Sequence, residues 1–354
     1  MFDYRREIEE LTSLVAREGG SDLHLSAFKH PVMRESGKLS QITQAPVLSP
    51  EDVMNTLFHM VSEELKKQFL ETKELDFSYS TKAGIRFRGS AFFQRGFVGV
   101  ALRLIPAKIR TLEELKLPDI LRDFAKKKQG FFLVVGPVGQ GKSTTLAAML
   151  DIINKERAEH ILTIEDPIEY LFKEERSIID QREIPYDSKD FHTALRSMFR
   201  QDINVAMIGE MRDPETISTA VTAAETGHLI LSTLHTNNAA QTIDRIIDSF
   251  PSHQQNQVRI QLSNTLLGIF SQRLIPRIEG GVIPAYEVLV NTTATANLIR
   301  VGKTNEINIA IETGRQEGML DMNHSLADLV VRGEIALETA LIHSINPAAL
   351  EKMI

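Results

Sequence analysis

The sequence contains no cysteine among its 354 residues. A disulfide framework and a thiolate zinc site are therefore both excluded. Such a chain suits a reducing compartment. Long apolar runs are missing too: no stretch approaches the roughly 18 apolar residues that a membrane span requires. The opening, MFDYRREIEELTSLVAREGG, is charged and amphipathic and has no signal-peptide core. These absences lead to the expectation of a cytoplasmic protein. There is no basic excess either. Residues 1–105 carry 14 basic and 14 acidic side chains, so the whole net charge of −7 falls on the remainder. Nucleic-acid binders ordinarily concentrate basic charge somewhere, so no nucleic-acid partner is expected. Internal repeats and low-complexity segments are absent.

What is present describes a globular chain: 42% hydrophobic and 25% charged residues, at a length that suits two domains. Residues 4–18 place Ile8, Leu11, Leu14 and Val15 at helical spacing. Two glycines end that pattern, and Leu23 and Leu25 then alternate with polar residues as in a strand. SPEDVMNTLFHMVSEELKKQFLET (49–72) reads as one helix, with Ser49 as N-cap and Pro50 in the first turn. LDFSYS, IRFRGSAFFQRG and FVGVALRLI are alternating, aromatic-rich strands. Residues 1–105 are thus expected to form a small α+β domain with an antiparallel sheet, followed by a linker at 106–115. From 116 to 290, the apolar strands GFFLVVG, HILTIED, NVAMIGE and HLILSTLH alternate with helical stretches, the pattern of an α/β domain with a parallel sheet. Residues 291–354 read as mostly helical.

The strongest local signal is FFLVVGPVGQGKSTT, residues 131–145. Gly136, Gly141, Lys142 and Ser143 satisfy the G-x-x-x-x-G-K-[ST] spacing, with a strand before and a helix after. Gly136, Pro137, Val138, Gly139, Gln140, Gly141, Lys142, Ser143 and Thr144 form the region that would cradle phosphates, every residue but Pro137 offering a backbone N–H. Lys142 would reach the β- and γ-phosphates of ATP, and the Ser143 hydroxyl would ligate Mg²⁺.

NVAMIGE ends on Glu210, placed to orient and deprotonate an attacking water. The preceding position, where many P-loop enzymes keep a magnesium-holding Asp, is Gly209. TIEDPIEY supplies Glu165, Asp166 and Glu169 after the neighbouring strand, where ligands gather in open α/β sheets. These acids could hold hydrated Mg²⁺ through water. Asp166 could instead be a helix N-cap and Glu169 a surface acid. ETGHLILSTLHT carries His228 and His235 at the two ends of one strand, seven residues apart and so on opposite faces, which excludes one undistorted metal site. His235, at the carboxyl end, could sense the γ-phosphate.

In order along the chain, GPVGQGKST, LTIEDPIEY, IGEMRDPET and GHLILSTLHTNNAAQTIDRI resemble the Walker A, Asp box, Walker B and His box of the secretion-type ATPases. GGSDLHL and FPSHQQNQVRIQLSNTLLGIFSQRL resemble the PilT-type retraction ATPases of type IV pili. The resemblance implies a RecA-like P-loop ATPase domain preceded by a PAS-like N-terminal domain. It implies an Asp box that takes over from the absent Walker B Asp, with Glu210 as catalytic base. It implies a homo-hexamer in which Arg88, Arg103, Arg196 and Arg200 contact phosphate or close the subunit interface. Function would be ATP-powered pilus retraction and twitching motility through an inner-membrane platform protein, with the motor on the cytoplasmic side. Without the tetracysteine motif and long N-terminal domain usual in assembly-type relatives, the sequence is expected to resemble the retraction branch.

One departure matters. The family motif AIRNLIRE corresponds to ATANLIRV at 294–301, with Ala296 for Arg and Val301 for Glu. That makes an accessory PilU-like ATPase, working with a paralogous ATPase, the alternative to a retraction motor, alongside an assembly or type II secretion ATPase. The family resemblance also puts Gln140 where Ser is usual, and little effect is expected, since the cradle needs only its backbone.

Overall fold

The computed structural model describes residues 3–35, 37–106, 108–211 and 213–354. Ala107 of the expected linker and Arg212 of the IGEMRDPET motif lie outside the described residues. The chain separates into two compact units, Met1–Lys108 and Ile109–Ile354.

The first unit runs α1 (Tyr4–Arg17), β1 (Asp22–Ser26), β2 (Val32–Glu35), β3 (Lys38–Gln41), α2 (Pro50–Met60), α3 (Glu63–Thr72), β4 (Glu74–Ser80), β5 (Arg86–Gln94) and β6 (Phe97–Ile105). The six strands form one antiparallel sheet in the order β3-β2-β1-β6-β5-β4. One face packs Leu23, Leu25, Phe77, Phe87 and Val100 against Ile8, Leu11 and Val15 of α1, Leu57 of α2 and Phe69 of α3. The Phe77 ring lies over Gly89, where an added Cβ would come within 2.3 Å of it.

The single helix expected over 49–72 is two. Val61 is extended, and Ser62 starts a second helix by accepting the Leu65 N–H on its side chain. Ser49 caps the first in a reciprocal box with Asp52. A second good N-cap residue offers the backbone a restart, and continuous apolar spacing does not reveal it. Strands β2 and β3 also went unexpected, because β3 is exposed throughout and carries no buried stripe.

The second unit contains α4 (Ile120–Ala125), β7 (Gly130–Val135), α5 (Lys142–Glu156), β8 (His160–Glu165), β9 (Ile178–Glu183), α6 (Phe191–Met198), β10 (Val205–Ile208), α7 (Pro214–Glu225), β11 (Leu229–Leu234), α8 (Ala239–Asp248) and α9 (Ser252–Thr265). It continues with β12 (Leu266–Pro276), β13 (Val282–Val290), α10 (Thr293–Val301), α11 (Ile307–Thr313), α12 (Met322–Val331), α13 (Leu337–His343) and α14 (Pro347–Leu350). Its seven-stranded sheet has the order β13-β12-β7-β11-β10-β8-β9. All neighbours are parallel except β13, which pairs antiparallel with β12. The sheet is therefore mixed rather than purely parallel, because the β12–β13 hairpin extends one edge.

Successive residues of β7 serve opposite layers, as strand geometry requires. Phe131, Leu133 and Val135 pack towards α6–α11, and Phe132 and Val134 towards α4 and α5. A sheet covered on both faces has fully apolar central strands, and β7, β10 and β11 are buried at every position. Leu112, inside the stretch read as linker, is buried in the second of these layers. Ile299, Ile307 and Ile311 of the C-terminal helices belong to the first.

Candidate active site

Three adjacent parallel strands, β7, β11 and β10, deliver their carboxyl ends to one edge of the second unit. The loop after β7 turns sharply into α5. Gly136 has φ 148°, Gly139 78° and Gly141 79°, values that side chains beyond glycine rarely adopt. At Gly136 the need is also spatial, since an added Cβ would stand 2.4 Å from the Gln272 carbonyl oxygen. Gly141 occupies the N-cap of α5, with no side-chain cap of its own. The turn thus presents backbone N–H groups and a helix N-terminus together, an arrangement suited to polyphosphate. Val138 at its tip is exposed.

Lys142 is buried, and its Nζ donates to the carbonyls of Gly136 (2.8 Å) and Pro137 (2.9 Å). It also lies 3.2 Å from Nδ1 of His235. The other ring nitrogen, Nε2, is 3.3 Å from Oε2 of Glu210. A lysine ammonium can only donate, so Nδ1 accepts and the imidazole proton sits on Nε2, facing the carboxylate. Burial holds the Lys142 pKa below its ordinary value, with the nearby Glu210 carboxylate opposing that shift. His235 therefore joins the P-loop lysine to the acid at the end of β10.

Gly209 has a structural reason. Its N–H donates to the Ile164 carbonyl, and a Cβ there would stand 3.3 Å from that oxygen and 3.5 Å from the Cα of Glu165. The end of β8 occupies the ground that a side chain at 209 would need. Glu165 itself is buried, and its carboxylate accepts from the Thr163 hydroxyl (2.7 Å) and the Glu169 N–H (3.1 Å). Burial pushes its pKa up to about 7 against those bonds. Asp166 is exposed and Glu169 half-buried. Asp166 is not an N-cap: no helix begins between Glu165 and β9. The Thr144 and Tyr170 hydroxyls share a 2.8 Å hydrogen bond, which ties the Asp-box segment to the P-loop helix. Among the described residues, no three His, Asp or Glu side chains converge into a ready-made metal cage. That donor set suits Mg²⁺, which keeps several waters and takes its remaining ligands from phosphate and one or two protein oxygens. Ser143 and the Glu165 segment are of this kind.

The two histidines part company. His228 flanks the amino end of β11, where its Nδ1 faces the Ala223 carbonyl at 3.0 Å and its ring meets Phe199 edge-on at 5.7 Å. Six strand residues separate it from His235, about 20 Å along the sheet. It shapes the α7–β11 turn and is not brought to the P-loop. Arg196 and Arg200 are exposed around the end of α6. In the first unit, Arg88 and Arg103 sit directly opposite each other on β5 and β6. Arg103 Nε donates to Asp22 Oδ1 at 2.9 Å, and Arg34, paired with Asp22 in register, adds an ion pair at 3.7 Å. Burial of Asp22 would raise its pKa, but the Ser21 and Arg103 hydrogen bonds outweigh this and hold it below the usual range. Like charges directly opposite are costly, and Asp22 offsets that cost across a row of three arginines.

Several residues were not visible in the sequence. Gln272 on β12 donates to the Gln140 carbonyl (2.8 Å) and accepts from the Thr145 hydroxyl (2.6 Å). Gln140 Oε1 accepts the Leu274 N–H at 2.6 Å. The Gln140 side chain therefore anchors the P-loop to β12, contrary to the expectation that only its backbone mattered. The available signal was a polar pair inside the apolar run LLGIFSQRLIP. Arg34 lacked even that, since its role depends on strand register.

A nucleotide-shaped turn, a buried lysine and an acid linked through a histidine define a P-loop ATPase. The chain belongs to the type II/IV secretion system protein family, whose profile matches residues 6–338. It is 43% identical to the type IV pilus retractation ATPase PilT of Pseudomonas aeruginosa over 334 residues, covering 94% of this chain and 97% of that protein. It is also 43% identical to the type IV pilus ATPase PilU of the same organism over 349 residues, 98% of this chain and 91% of that protein. The crystal structure of the pilus retraction motor PilT with bound ADP matches with a TM-score of 0.92 at 45% identity, covering 98% and 99% of the two chains. This chain is thus a secretion-type ATPase of the type IV pilus group. No helix among the described residues is long and apolar enough to cross a membrane.

Proposed function

We propose that this protein is a Mg²⁺-dependent, hexameric ATPase motor that powers type IV pilus retraction, with a PAS-like first unit and a RecA-like second unit. The observation that carries the reading is the Lys142–His235–Glu210 connection at the mouth of the P-loop. ATP would lie with its phosphates on residues 136–144 and Lys142 on the β- and γ-phosphates. Glu210 takes the proton of the attacking water as general base. His235 holds that carboxylate in place and reports to Lys142 whether a γ-phosphate is present. Ser143, with Glu165, Asp166 and Glu169 through water, would hold Mg²⁺, which when bound neutralises phosphate charge. Arg88, Arg103, Arg196 and Arg200 are assigned to phosphate or to subunit contacts, a role that suits a planar, permanently charged fork. Loss of γ-phosphate contacts on hydrolysis drives the domain motion, which acts on an inner-membrane platform protein from the cytoplasmic side.

An accessory, PilU-like role is favoured by one specific feature. The retraction-type motif is broken at Ala296 and Val301, with Thr295 also standing for Ile, while its other five positions are kept, and Val301 is exposed. The test measures steady-state Mg-ATPase activity and oligomeric mass of the full chain beside Glu210→Gln. The variant is expected to bind ATP and lose roughly 10²–10⁴-fold in turnover. Near-normal hydrolysis would remove Glu210 from the mechanism. Restoration of pilus withdrawal in cells lacking their retraction ATPase separates the main motor from the accessory role.

A further inference from the structure

Glu287 is a buried acid that none of the chemistry above uses. It stands on β13 in the apolar run VIPAYEVLV and is 4% exposed. Its Oε1 accepts the Ala239 N–H at 2.8 Å and the Ser271 hydroxyl at 3.2 Å. Ala239 is the first residue of α8, four positions after His235. The first N–H groups of a helix need partners from outside it. The Asn238 side chain takes that of Gln241, and Glu287 takes that of Ala239. Thr236 is tied in turn to Thr242 through their hydroxyls at 2.6 Å. The short path from His235 into α8 is therefore pinned at its far end by a carboxylate from β13, the edge strand of the same sheet. Ser271 is also the neighbour of Gln272, so adjacent residues of β12 brace the P-loop and the anchor of the His235 segment.

A buried carboxylate is an expensive way to satisfy one N–H and one hydroxyl. Its charge gains most where it faces a helix N-terminus, which attracts anions. We infer that Glu287 is a positioning residue for ATP hydrolysis: by fixing the start of α8, it sets where His235 stands between Lys142 and Glu210. This rests on the reading of His235 and Glu210 proposed above.

The test compares Glu287→Met and Glu287→Gln in the full chain. Met keeps the volume and leaves Ala239 N–H without an acceptor, whereas Gln keeps the acceptor. Misplacement of a catalytic constellation by about 1 Å can cost roughly 100-fold. The Met variant should therefore lose about 10- to 100-fold in kcat with KM for ATP nearly unchanged, and Gln should restore most of it. Hydrogen exchange should rise in residues 235–241 of the Met variant and stay unchanged in the P-loop and in β12–β13. Wild-type kcat in the Met variant would overturn the inference. So would a loss of kcat without faster exchange at 235–241, or faster exchange throughout β12–β13, which marks a purely structural residue. If the Met variant does not fold, Ser271→Ala removes one donor to the same carboxylate. It should lower kcat and speed exchange at 235–241 to a smaller degree, and no change in either would overturn the inference. Glu210→Gln run in parallel keeps the two readings apart: retained turnover there refutes the general base, while the exchange data still judge Glu287.

Discussion

Nε2 of His235 lies 3.3 Å from the Glu210 carboxylate while Nδ1 of the same ring faces Lys142. A single imidazole thus ties the group that would activate water to the group that would meet the phosphate. Replacing it with alanine should leave nucleotide affinity nearly intact and lower kcat about 10- to 100-fold, as loss of an orienting partner does. Parallel measurement of ADP affinity and turnover checks this. An equal loss in both would assign His235 to binding alone.

Gln272 predicts a second effect away from the chemistry. In Gln272→Leu, the Gln140 carbonyl loses its side-chain partner, while the Thr145 hydroxyl keeps only its 3.2 Å bond to the Gly141 carbonyl. Each buried polar group left unsatisfied costs about 1–3 kcal/mol. Stability should fall by about that amount and ADP affinity should weaken with the loosened loop. Urea unfolding with and without ADP tests both.

The P-loop glycines should respond unequally. Gly136→Ala drives a Cβ to 2.4 Å from a backbone oxygen that cannot step aside. Gly139→Ala meets nothing within 4 Å and carries only the left-handed backbone penalty, about 1–2 kcal/mol. Gly136→Ala is expected to be the more damaging of the two in both thermal stability and nucleotide binding. The reverse order would refute the role given to Gln272 as a wall of the loop.

Glu287 gives a dependence on pH. Burial pushes its pKa up to about 7 from an ordinary 4.5, opposed by the Ala239 and Ser271 bonds. Asp321 ahead of α12 adds to the rise, and Arg273 from β12 works against it. A carboxyl raised on folding contributes stability below its unfolded pKa and loses it as pH climbs through the folded value. The window is thus about pH 4.5 to 7. Unfolding free energies of the wild type and Glu287→Gln should diverge in favour of Gln between about pH 4.5 and about pH 7, by at most about 3 kcal/mol. A difference that stays constant across that range would contradict it.

The readable part of this chain was whatever short-range spacing controls. The P-loop announces itself because glycine, lysine and serine must stand at fixed intervals to turn a backbone around phosphate. Strands β7, β10 and β11 are readable because a sheet covered on both faces requires unbroken apolar runs. Gln272, Glu287 and Arg34 matter only through partners distant in sequence, which spacing does not encode. Ser62 shows the intermediate case, where a local cap overrode a longer apolar rhythm. His228 shows the converse: a histidine inside a recognisable motif whose place at the far end of β11 gives it a turn to hold.

In α10, Thr295 and Ile299 are sunk into the protein while Arg300 and Val301 look outward. The inward residues answer to packing, and the outward ones answer to whatever the helix meets. The departures from the family motif straddle both sides of this helix, with Thr295 within, Ala296 at the margin and Val301 outside. The exposed end of the helix is thus free to carry a side chain chosen for something other than packing, while Ile299 stays locked in the core.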